Sequence, residues 1–352
     1  MIRVLVVDDS AVLRHITKLI LESDPELKVI GEARNGLEAV AQVERLRPDV
    51  ITMDLRMPKM DGLEAIRQIM AGRPAPIVVV TGVDLERERH LAQAATQLGA
   101  VSIVRRPDPA APEHKTFVTQ LIQRVKLMSA VKVVRRVRNQ TTPAPDNGQG
   151  RLLAKPAPAR SIQVVAIGSS TGGPAALHCI LSNLPADFPL PMLVVQHISF
   201  GFVEGLASWL NNASPLTVQV ARLGQRIQPG QVYVGPDDQH LLVDRFGRIG
   251  LSQTNLMDGH RPSATALFQS VAQAYGPEAL GVILTGMGAD GAAGMQTLNQ
   301  AGAITIAQDE ASCVVFGMPK EAIALGAIQH VAPLDRMAQT IQRLTANVMR
   351  EA

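Results

Sequence analysis

The chain of 352 residues carries a net charge of +3 at pH 7, with 46% hydrophobic and 18% charged residues. This length predicts two or three domains, and this composition excludes a disordered chain. It contains no run of eighteen apolar residues, and acidic residues begin at position 8, so we expect neither a membrane-spanning helix nor a secretory leader. Cys179 and Cys313 lack the spacing of a metal site, which favours free thiols in a cytoplasmic protein.

Most of the positive charge lies in one segment. Nine basic residues and one acidic residue stand between Arg124 and Arg160, a net charge of +8, which leaves −5 for the remainder of the chain. Only 3% of the residues are aromatic, so few side chains can stack on bases. A basic connector between mildly acidic bodies predicts no nucleic-acid partner.

The first 125 residues predict a doubly wound α/β domain with a five-stranded parallel sheet. Five short apolar runs alternate with segments of helical periodicity, and a last helix at about residues 115–137 closes the unit. The runs read MIRVLVVDD, KVIGEA, DVITMDL, PIVVVTG and AVSIVR.

A linker and a second α/β domain follow. Residues 126–160 are basic and become rich in proline and glycine from residue 139, which predicts an extended tether. The alternation restarts over residues 161–350, with the runs IQVVAIG, PMLVVQH, QVYVG, ALGVILTG and AITIAQ. We therefore predict a second doubly wound, Rossmann-like α/β domain there.

Carboxylates stand at the ends of two strands of the first predicted sheet. Asp8 and Asp9 follow the first strand, Asp54 follows the third, and Thr81 ends the fourth. These ends share the edge of a parallel sheet at which ligands bind. Helix capping explains three aspartates poorly, whereas a divalent cation such as Mg²⁺ offsets their repulsion. A carboxylate beside such a cation can attack a phosphoryl group.

The motifs VLVVDDSAVLR, PDVITMDLRMPKMDGLEAI and PIVVVTG resemble the receiver domain of two-component response regulators. The resemblance implies that Asp54 accepts a phosphoryl group and that Thr81 is a hydroxyl switch. The Mg²⁺ ligands that it implies are Asp8, Asp9, Asp54 and the carbonyl of Arg56.

One position departs from the receiver pattern. That family has a lysine before the proline that follows the fifth strand, and SIVRRPDP places Arg106 there. Arginine keeps the positive charge on a bulkier, planar group. We assign Arg106 to the phosphorylation switch together with Thr81.

The stretch VVAIGSSTGGPAAL, Val164–Leu177, raises a choice between binding phosphate and presenting a nucleophile. A P-loop needs a lysine where Pro174 follows Gly173, and a dinucleotide-binding loop needs a glycine where Ser170 stands, so both nucleotide-binding interpretations fail. The G-x-S-x-G spacing of residues 168–172 fits the strand–turn–helix of a nucleophile elbow. A glycine turn without chemistry is an equally common source of this pattern.

Two further residues strengthen the elbow interpretation. A serine nucleophile needs a base and a third group that orients the base. PMLVVQHIS places His197 at the end of the next strand, and VILTGMGADGAAGM places Asp290 after another strand. The order Ser, His, Asp differs from that of the α/β-hydrolases. Among the other histidines, His260 is the one that we expect to line the cleft.

Six motifs of the second domain resemble the catalytic domain of chemotaxis response regulators that act as protein-glutamate methylesterases, the CheB family. They read AIGSSTGGPAAL, VVQHISFGF, PGQVYVGPDDQHL, GHRPSATALF, GVILTGMGADGAAGM and IAQDEASCVVFGMPKEAI. The resemblance implies that Ser170 is the nucleophile, His197 the general base and acid, and Asp290 the orienting carboxylate. It makes the backbone near Thr171 and Met287 the candidate oxyanion donor.

The resemblance implies phosphorylation-activated hydrolysis of glutamate γ-methyl esters on methyl-accepting chemotaxis receptors, with release of methanol, and deamidation of receptor glutamines. It further implies that Mg²⁺ serves only the receiver, that the esterase needs no cofactor, and that a chemotaxis histidine kinase donates the phosphoryl group. Two alternatives stay open: the same chemistry in a non-flagellar chemosensory pathway, and a phosphorylation-controlled interaction module without catalysis. The set Ser170, His197 and Asp290 argues against the second alternative.

Overall fold

The computed structural model describes residues 1–82, 94–95, 102–107, 114–129, 161–198 and 200–346. Within these ranges the chain forms two α/β units, one before and one after the predicted linker. Residues 130–160 of that linker lie outside the described residues, as does nearly all of the segment between the fourth and fifth strands. No helix within the described ranges is both long enough and apolar enough to cross a bilayer.

The N-terminal unit is built on a five-stranded parallel sheet. Its strands are β1 (Ile2–Val7), β2 (Leu27–Ala33), β3 (Val50–Met53), β4 (Ile77–Thr81) and β5 (Ser102–Arg105), and its described helices are α1 (Ala11–Glu22), α2 (Gly36–Leu46), α3 (Gly62–Ala71) and α4 (His114–Ser129). The strand order is β2-β1-β3-β4-β5, and each neighbouring pair is parallel. The predicted fold class is confirmed, and the strand order reverses between β1 and β3.

Local sequence determines where the helices of this unit begin. Ser10, Asn35 and Asp61 precede α1, α2 and α3, and each side chain accepts a hydrogen bond from the amide three residues further on. A Cβ at Gly62 would collide with the backbone of Asp54. The glycine therefore allows the start of α3 to pass closely beneath the loop that carries this aspartate.

The C-terminal unit contains a seven-stranded parallel sheet and a hairpin. The sheet consists of β6 (Val164–Ser169), β7 (Met192–Gln196), β8 (Thr217–Val220), β9 (Gln231–Val234), β12 (Ala279–Ile283), β13 (Ile304–Gln308) and β14 (His330–Ala332), and the hairpin of β10 (His240–Val243) and β11 (Ile249–Ser252). The described helices are α5 (Gly173–Leu181), α6 (Val203–Ala213), α7 (Ala264–Tyr275), α8 (Ala292–Gln300), α9 (Met318–Ala324) and α10 (Leu334–Thr345). The parallel α/β architecture is as predicted.

The strand order of this sheet determines where a ligand can bind. From one edge to the other the order is β14-β13-β12-β6-β7-β9-β8. The chain runs from β6 towards β8 on one side and then returns to β12 on the other side of β6. The reversal therefore lies between β6 and β12, and the crevice outside the carboxyl ends of these strands is the expected binding site.

The two units contact each other in the described residues. Phe202, which directly precedes α6, is 5% exposed and belongs to the buried cluster of the N-terminal unit that contains Met53. Val314 and Val315 of the C-terminal unit pack against a second cluster, which contains Leu121 of α4. The N-terminal unit therefore lies against the loops that follow β7 and β13.

Candidate active site

Ser170 lies on a sharp turn between β6 and α5. Its amide donates to the Thr285 carbonyl (3.1 Å), and its carbonyl accepts from the Gly173 amide (2.8 Å). Gly172 has a φ of 81°, which favours glycine, and a Cβ there would collide with Val314. Ser170 is 8% exposed, and its hydroxyl makes no hydrogen bond among the described residues. The turn thus presents a hydroxyl that none of the described residues engages.

His197 lies beside the turn because β6 and β7 pair in parallel register. Ser169, the last residue of β6, is the register partner of Gln196, the last residue of β7. The residues that follow these two strands, Ser170 and His197, therefore leave the sheet at the same edge. His197 Nε2 lies 2.7 Å from Asp290 Oδ2. His197 Nδ1 is buried and has no hydrogen-bond partner in the described part of the chain. Because Asp290 occupies Nε2, the Nδ1 atom is left to accept a proton.

Asp290 is buried at the N-terminus of α7. Its Oδ1 accepts from Ser263 Oγ (2.6 Å) and from the Thr265 amide (3.0 Å), and its Oδ2 accepts from the Ala264 amide (2.7 Å). Burial alone raises the pKa of this carboxyl, but hydrogen bonds from His197, Ser263 and Thr265 outweigh burial and hold the pKa well below its usual range. An anionic Asp290 therefore keeps the proton of the imidazole on Nε2.

The ring of His260 stacks on the ring of His197. Their centroids are 3.9 Å apart, and their planes differ by 11°. Burial lowers the pKa of His260, and a positive charge on His197 would lower it further. A neutral His260 covers one face of the His197 ring and limits the access of water to it.

The two candidate oxyanion donors lie on either side of the crevice between β6 and β12. Thr171 follows Ser170 just before α5, and Met287 follows Gly286, which bridges to Phe316. Within the described ranges neither the Thr171 nor the Met287 amide donates a hydrogen bond. Unused amides beside a helix N-terminus can stabilise an oxyanion. The role of these two amides stays a prediction.

A second cluster of polar groups lies at the carboxyl edge of the N-terminal sheet. Carboxylate oxygens of Asp8, Asp9 and Asp54 all lie within 4.8 Å of one another. Asp8 is buried and accepts hydrogen bonds from the Ser10 amide (3.0 Å) and from Arg106 Nη2 (2.8 Å). Three carboxylate oxygens at this spacing fit a hard divalent cation such as Mg²⁺.

The electrostatics of this cluster favour a cation. Burial raises the pKa of Asp54 to about 6, the charge of Asp8 adds to the rise, and the Leu55 amide and Arg106 oppose it. A cation among the carboxylates would bring this pKa down again by offsetting the negative charge. The donor set and the repulsion within it therefore both fit Mg²⁺.

Arg56 and Thr81 were also predicted for the N-terminal site. Arg56 lies in the exposed loop after β3, two residues beyond Asp54. The backbone of Thr81 ends β4, while its side chain is outside what the structure describes. The switch role of Thr81 and Arg106 stays a prediction.

Sequence reasoning missed three buried polar residues that support the elbow and the triad. Gln196 hydrogen-bonds to Ser169, Ser170 and His197. The other two are Ser263, which bonds to Asp290 and caps α7, and Thr285, which donates to the Thr171 carbonyl (2.9 Å). The sequence offers one signal by which such residues could have been found, which is a polar residue beside an apolar run. The glutamine directly before His197 is an example.

Comparisons with known proteins identify the families to which the two units belong. The model of the CheB methylesterase family matches residues 165–341, and the model of the response regulator receiver domain matches residues 4–112. A protein of Myxococcus xanthus (strain DK1622) named protein-glutamate methylesterase/protein-glutamine glutaminase 4 is 47% identical over 345 residues, which cover 97% of this chain and 96% of the relative.

The chain belongs to the CheB methylesterase family.

A relative of the same name from Geobacter metallireducens (strain ATCC 53774 / DSM 7210 / GS-15) is also 47% identical, over 98% of this chain and 99% of its own length. Among solved structures, the CheB methylesterase catalytic domain of Thermotoga maritima is 40% identical. It covers 52% of this chain and 99% of its own, with a TM-score of 0.51. The N-terminal unit is therefore the receiver, and the C-terminal unit is the catalytic unit.

Proposed function

We propose that this CheB-family protein hydrolyses glutamate γ-methyl esters on methyl-accepting chemotaxis receptors and deamidates receptor glutamines. The observation that carries the proposal is the 2.7 Å contact between His197 and Asp290 beside the Ser170 hydroxyl, which bonds to no residue in the described ranges. The names of the relatives, at 47% identity over nearly the whole chain, support both activities. Release of methanol from methylated receptor membranes is the test.

The contacts of the site support acyl transfer in two steps. The Ser170 hydroxyl attacks the side-chain carbonyl of the ester while His197 Nδ1 takes its proton. Asp290 stabilises the imidazolium that forms, and the Thr171 and Met287 amides receive the developing oxyanion. The tetrahedral intermediate then breaks its bond to the methoxy oxygen, which takes the proton from His197 and leaves as methanol. Water, activated by the same nitrogen, cleaves the acyl-enzyme to leave glutamate.

Deamidation uses the same residues on a different leaving group. A glutamine side chain presents the same carbonyl, and His197 delivers its proton to the amide nitrogen, which leaves as ammonia when the C–N bond breaks. Because the amide is the poorer leaving group, proton donation by His197 matters more in this reaction than in ester hydrolysis. A catalytically inactive interaction module would need none of these contacts, which is why the enzyme is the favoured interpretation.

The receiver site supports phosphorylation at Asp54. Mg²⁺, held by Asp8, Asp9 and Asp54 with the Arg56 carbonyl, would neutralise charge on the incoming phosphoryl group. Asp54 would supply the attacking oxygen, and Arg106 would remain paired with Asp8 beside it. We assign the phosphodonor to a chemotaxis histidine kinase and the protein to the cytoplasm.

A small phosphodonor, acetyl phosphate with Mg²⁺, should raise methanol release by the wild type several-fold and leave Asp54→Ala at its unstimulated rate. Alanine offers no oxygen to the phosphoryl group, so activation by phosphorylation is lost while the catalytic unit is intact. Chelation of Mg²⁺ should remove the stimulation of the wild type in the same way. Arg106→Lys, which keeps a cation near Asp8, should still respond. Stimulation of Asp54→Ala would show that the input lies elsewhere.

The receiver lies close to the catalytic residues, which supports control by occlusion. Val314 contacts the elbow at Gly172 and also packs against the receiver cluster that contains α4. Arg124 of α4 is near enough to His260 to lower its pKa, a smaller effect than that of burial. We therefore propose that the unphosphorylated receiver hinders the approach of a receptor to Ser170, and that phosphorylation favours an open state.

Phe202→Ala should raise methanol release in the absence of phosphodonor towards the rate of the phosphorylated wild type. Loss of a buried phenyl ring costs about 3 kcal/mol, which can change the ratio of closed to open states about 100-fold. Phe246→Ala is the matched control, because Phe246 is 62% exposed and lies on the β10–β11 hairpin. If folded Phe202→Ala is as slow as unphosphorylated wild type, occlusion by the receiver is wrong.

A further inference from the structure

Gln196 connects the turn that carries the nucleophile to the strand that carries the base. It is the last residue of β7, 3% exposed, in a strand that is otherwise apolar. Its Oε1 accepts from Ser169 Oγ (2.7 Å). Its Nε2 donates to the Ser170 carbonyl (2.8 Å) and to the His197 carbonyl (2.7 Å).

These bonds use both N–H groups of the amide. A glutamine side chain has two donors on nitrogen, and here each is taken by the carbonyl of a different candidate catalytic residue. Nothing on the nitrogen is left to bind a substrate. Its arrangement instead couples the backbone of Ser170 to the backbone of His197 through one rigid planar group.

The packing around Gln196 leaves it little freedom to move. A Cβ on Gly173, the first residue of α5, would collide with the Gln196 side chain, so the glycine provides the space that the amide occupies. A buried side chain with satisfied hydrogen bonds has few alternative rotamers. Displacing it would leave the Ser170 carbonyl with only the Gly173 amide as donor and would remove the described donor of the His197 carbonyl, which is costly.

We propose that Gln196 is a positioning residue that sets the distance between the Ser170 hydroxyl and the free nitrogen of His197. This proposal rests on the proposed function, because the distance matters for ester hydrolysis. The hydrogen bonds of Gln196 are observed independently of that function. A misplacement of about 1 Å between reacting groups can reduce a rate about 100-fold. The two hydrogen bonds to the Ser170 and His197 carbonyls prevent a displacement of this kind.

The chain offers a matched control on the other side of the elbow. Gln308 is the last residue of β13, is fully buried, and also donates to a backbone carbonyl, that of Ser312 (2.8 Å). Its Oε1 accepts from the Thr285 amide (2.9 Å), and among the described hydrogen bonds its connection to the elbow runs through Thr285 alone. Gln196 and Gln308 thus share burial, residue type and place in a strand, but only Gln196 bonds to Ser170 and His197.

The experiment compares Gln196→Glu, Gln196→Met and Gln308→Glu in the full chain. We expect both Gln196 variants to lower kcat for methanol release about 100-fold with little change in KM, because alignment is lost and not binding. Gln308→Glu should lose similar thermal stability but much less kcat. Gln196→Met removes the donors without burying a charge, so it serves if the glutamate variant does not fold.

A second readout does not depend on receptors. A small fluorophosphonate labels Ser170, and mass spectrometry measures the labelling rate. This rate should fall in the Gln196 variants and remain unchanged in Gln308→Glu. If wild type labels at Ser170 but releases no methanol, the proposed function fails while the positioning role is still measured. Folded Gln196 variants with wild-type kcat and labelling rate would overturn the role. So would equal losses in Gln196→Glu and Gln308→Glu.

Discussion

Ser170→Ala is expected to lower the rate of methanol release from methylated receptor membranes by about 10⁴–10⁶-fold, because no other group can replace the nucleophile. The variant should fold normally. The backbone of Ser170, through its amide and carbonyl, makes the described hydrogen bonds of this residue, and alanine keeps both groups. We therefore expect the free energy of unfolding to change by about 0.5 kcal/mol at most.

The neighbouring hydroxyl supplies the control for this prediction. Ser169 is fully buried and donates to Gln196, but it is the last residue of β6 and lies within the sheet. Ser169→Ala should lose one buried hydrogen bond, about 1 kcal/mol of stability, and keep a measurable rate. If Ser170→Ala is active and Ser169→Ala is not, the assignment of the nucleophile is wrong.

The sequence predicts the interior of both sheets well because buried parallel strands appear as continuous apolar runs. All four residues of β3 and all six of β6 are buried, and both runs stand out. The strands that were missed are at the edges. In β8 only one of four residues is buried, and β14 has three residues, so neither leaves a clear pattern. The antiparallel hairpin was also missed: its strands have only four residues each, and although three of the four are buried in β10, only one is buried in β11.

The predicted site residues can be found from sequence because ligands bind at the carboxyl edge of a parallel sheet. The residues that support them cannot be found in this way. Ser170, His197 and Asp290 all come after strands, so the shared edge of a parallel sheet brings them together. The bonds of Gln196 and Thr285 depend on register between strands and on partners far away in sequence. Nor does sequence indicate which nitrogen of His197 faces the carboxylate. Only the structure shows that it is Nε2.

Asp290→Asn should lower the rate of methanol release about 10⁴-fold. An amide in place of the carboxylate can present N–H to His197 Nε2, which favours the imidazole tautomer with its proton on Nδ1, where it cannot accept from serine. Asp258→Asn is the control. Asp258 accepts a hydrogen bond from the Thr265 hydroxyl (2.6 Å) near the start of α7, the helix whose N-terminal amides also bond to Asp290. No hydrogen bond joins Asp258 to His197 among the described residues.

The same substitution should also lower the free energy of unfolding, by about 3 kcal/mol at neutral pH, because a buried anion is removed from donors that were arranged around it. The pKa of Asp290 is depressed in the folded protein, so its stabilising contribution is present above the unfolded value of 3.8 and is lost as the pH falls below it. The difference between wild type and Asp290→Asn, measured by urea unfolding, should therefore be constant above about pH 5 and shrink below about pH 4. A difference that grows on acidification would mean that Asp290 is protonated in the folded protein, and that it does not hold the proton of His197 on Nε2.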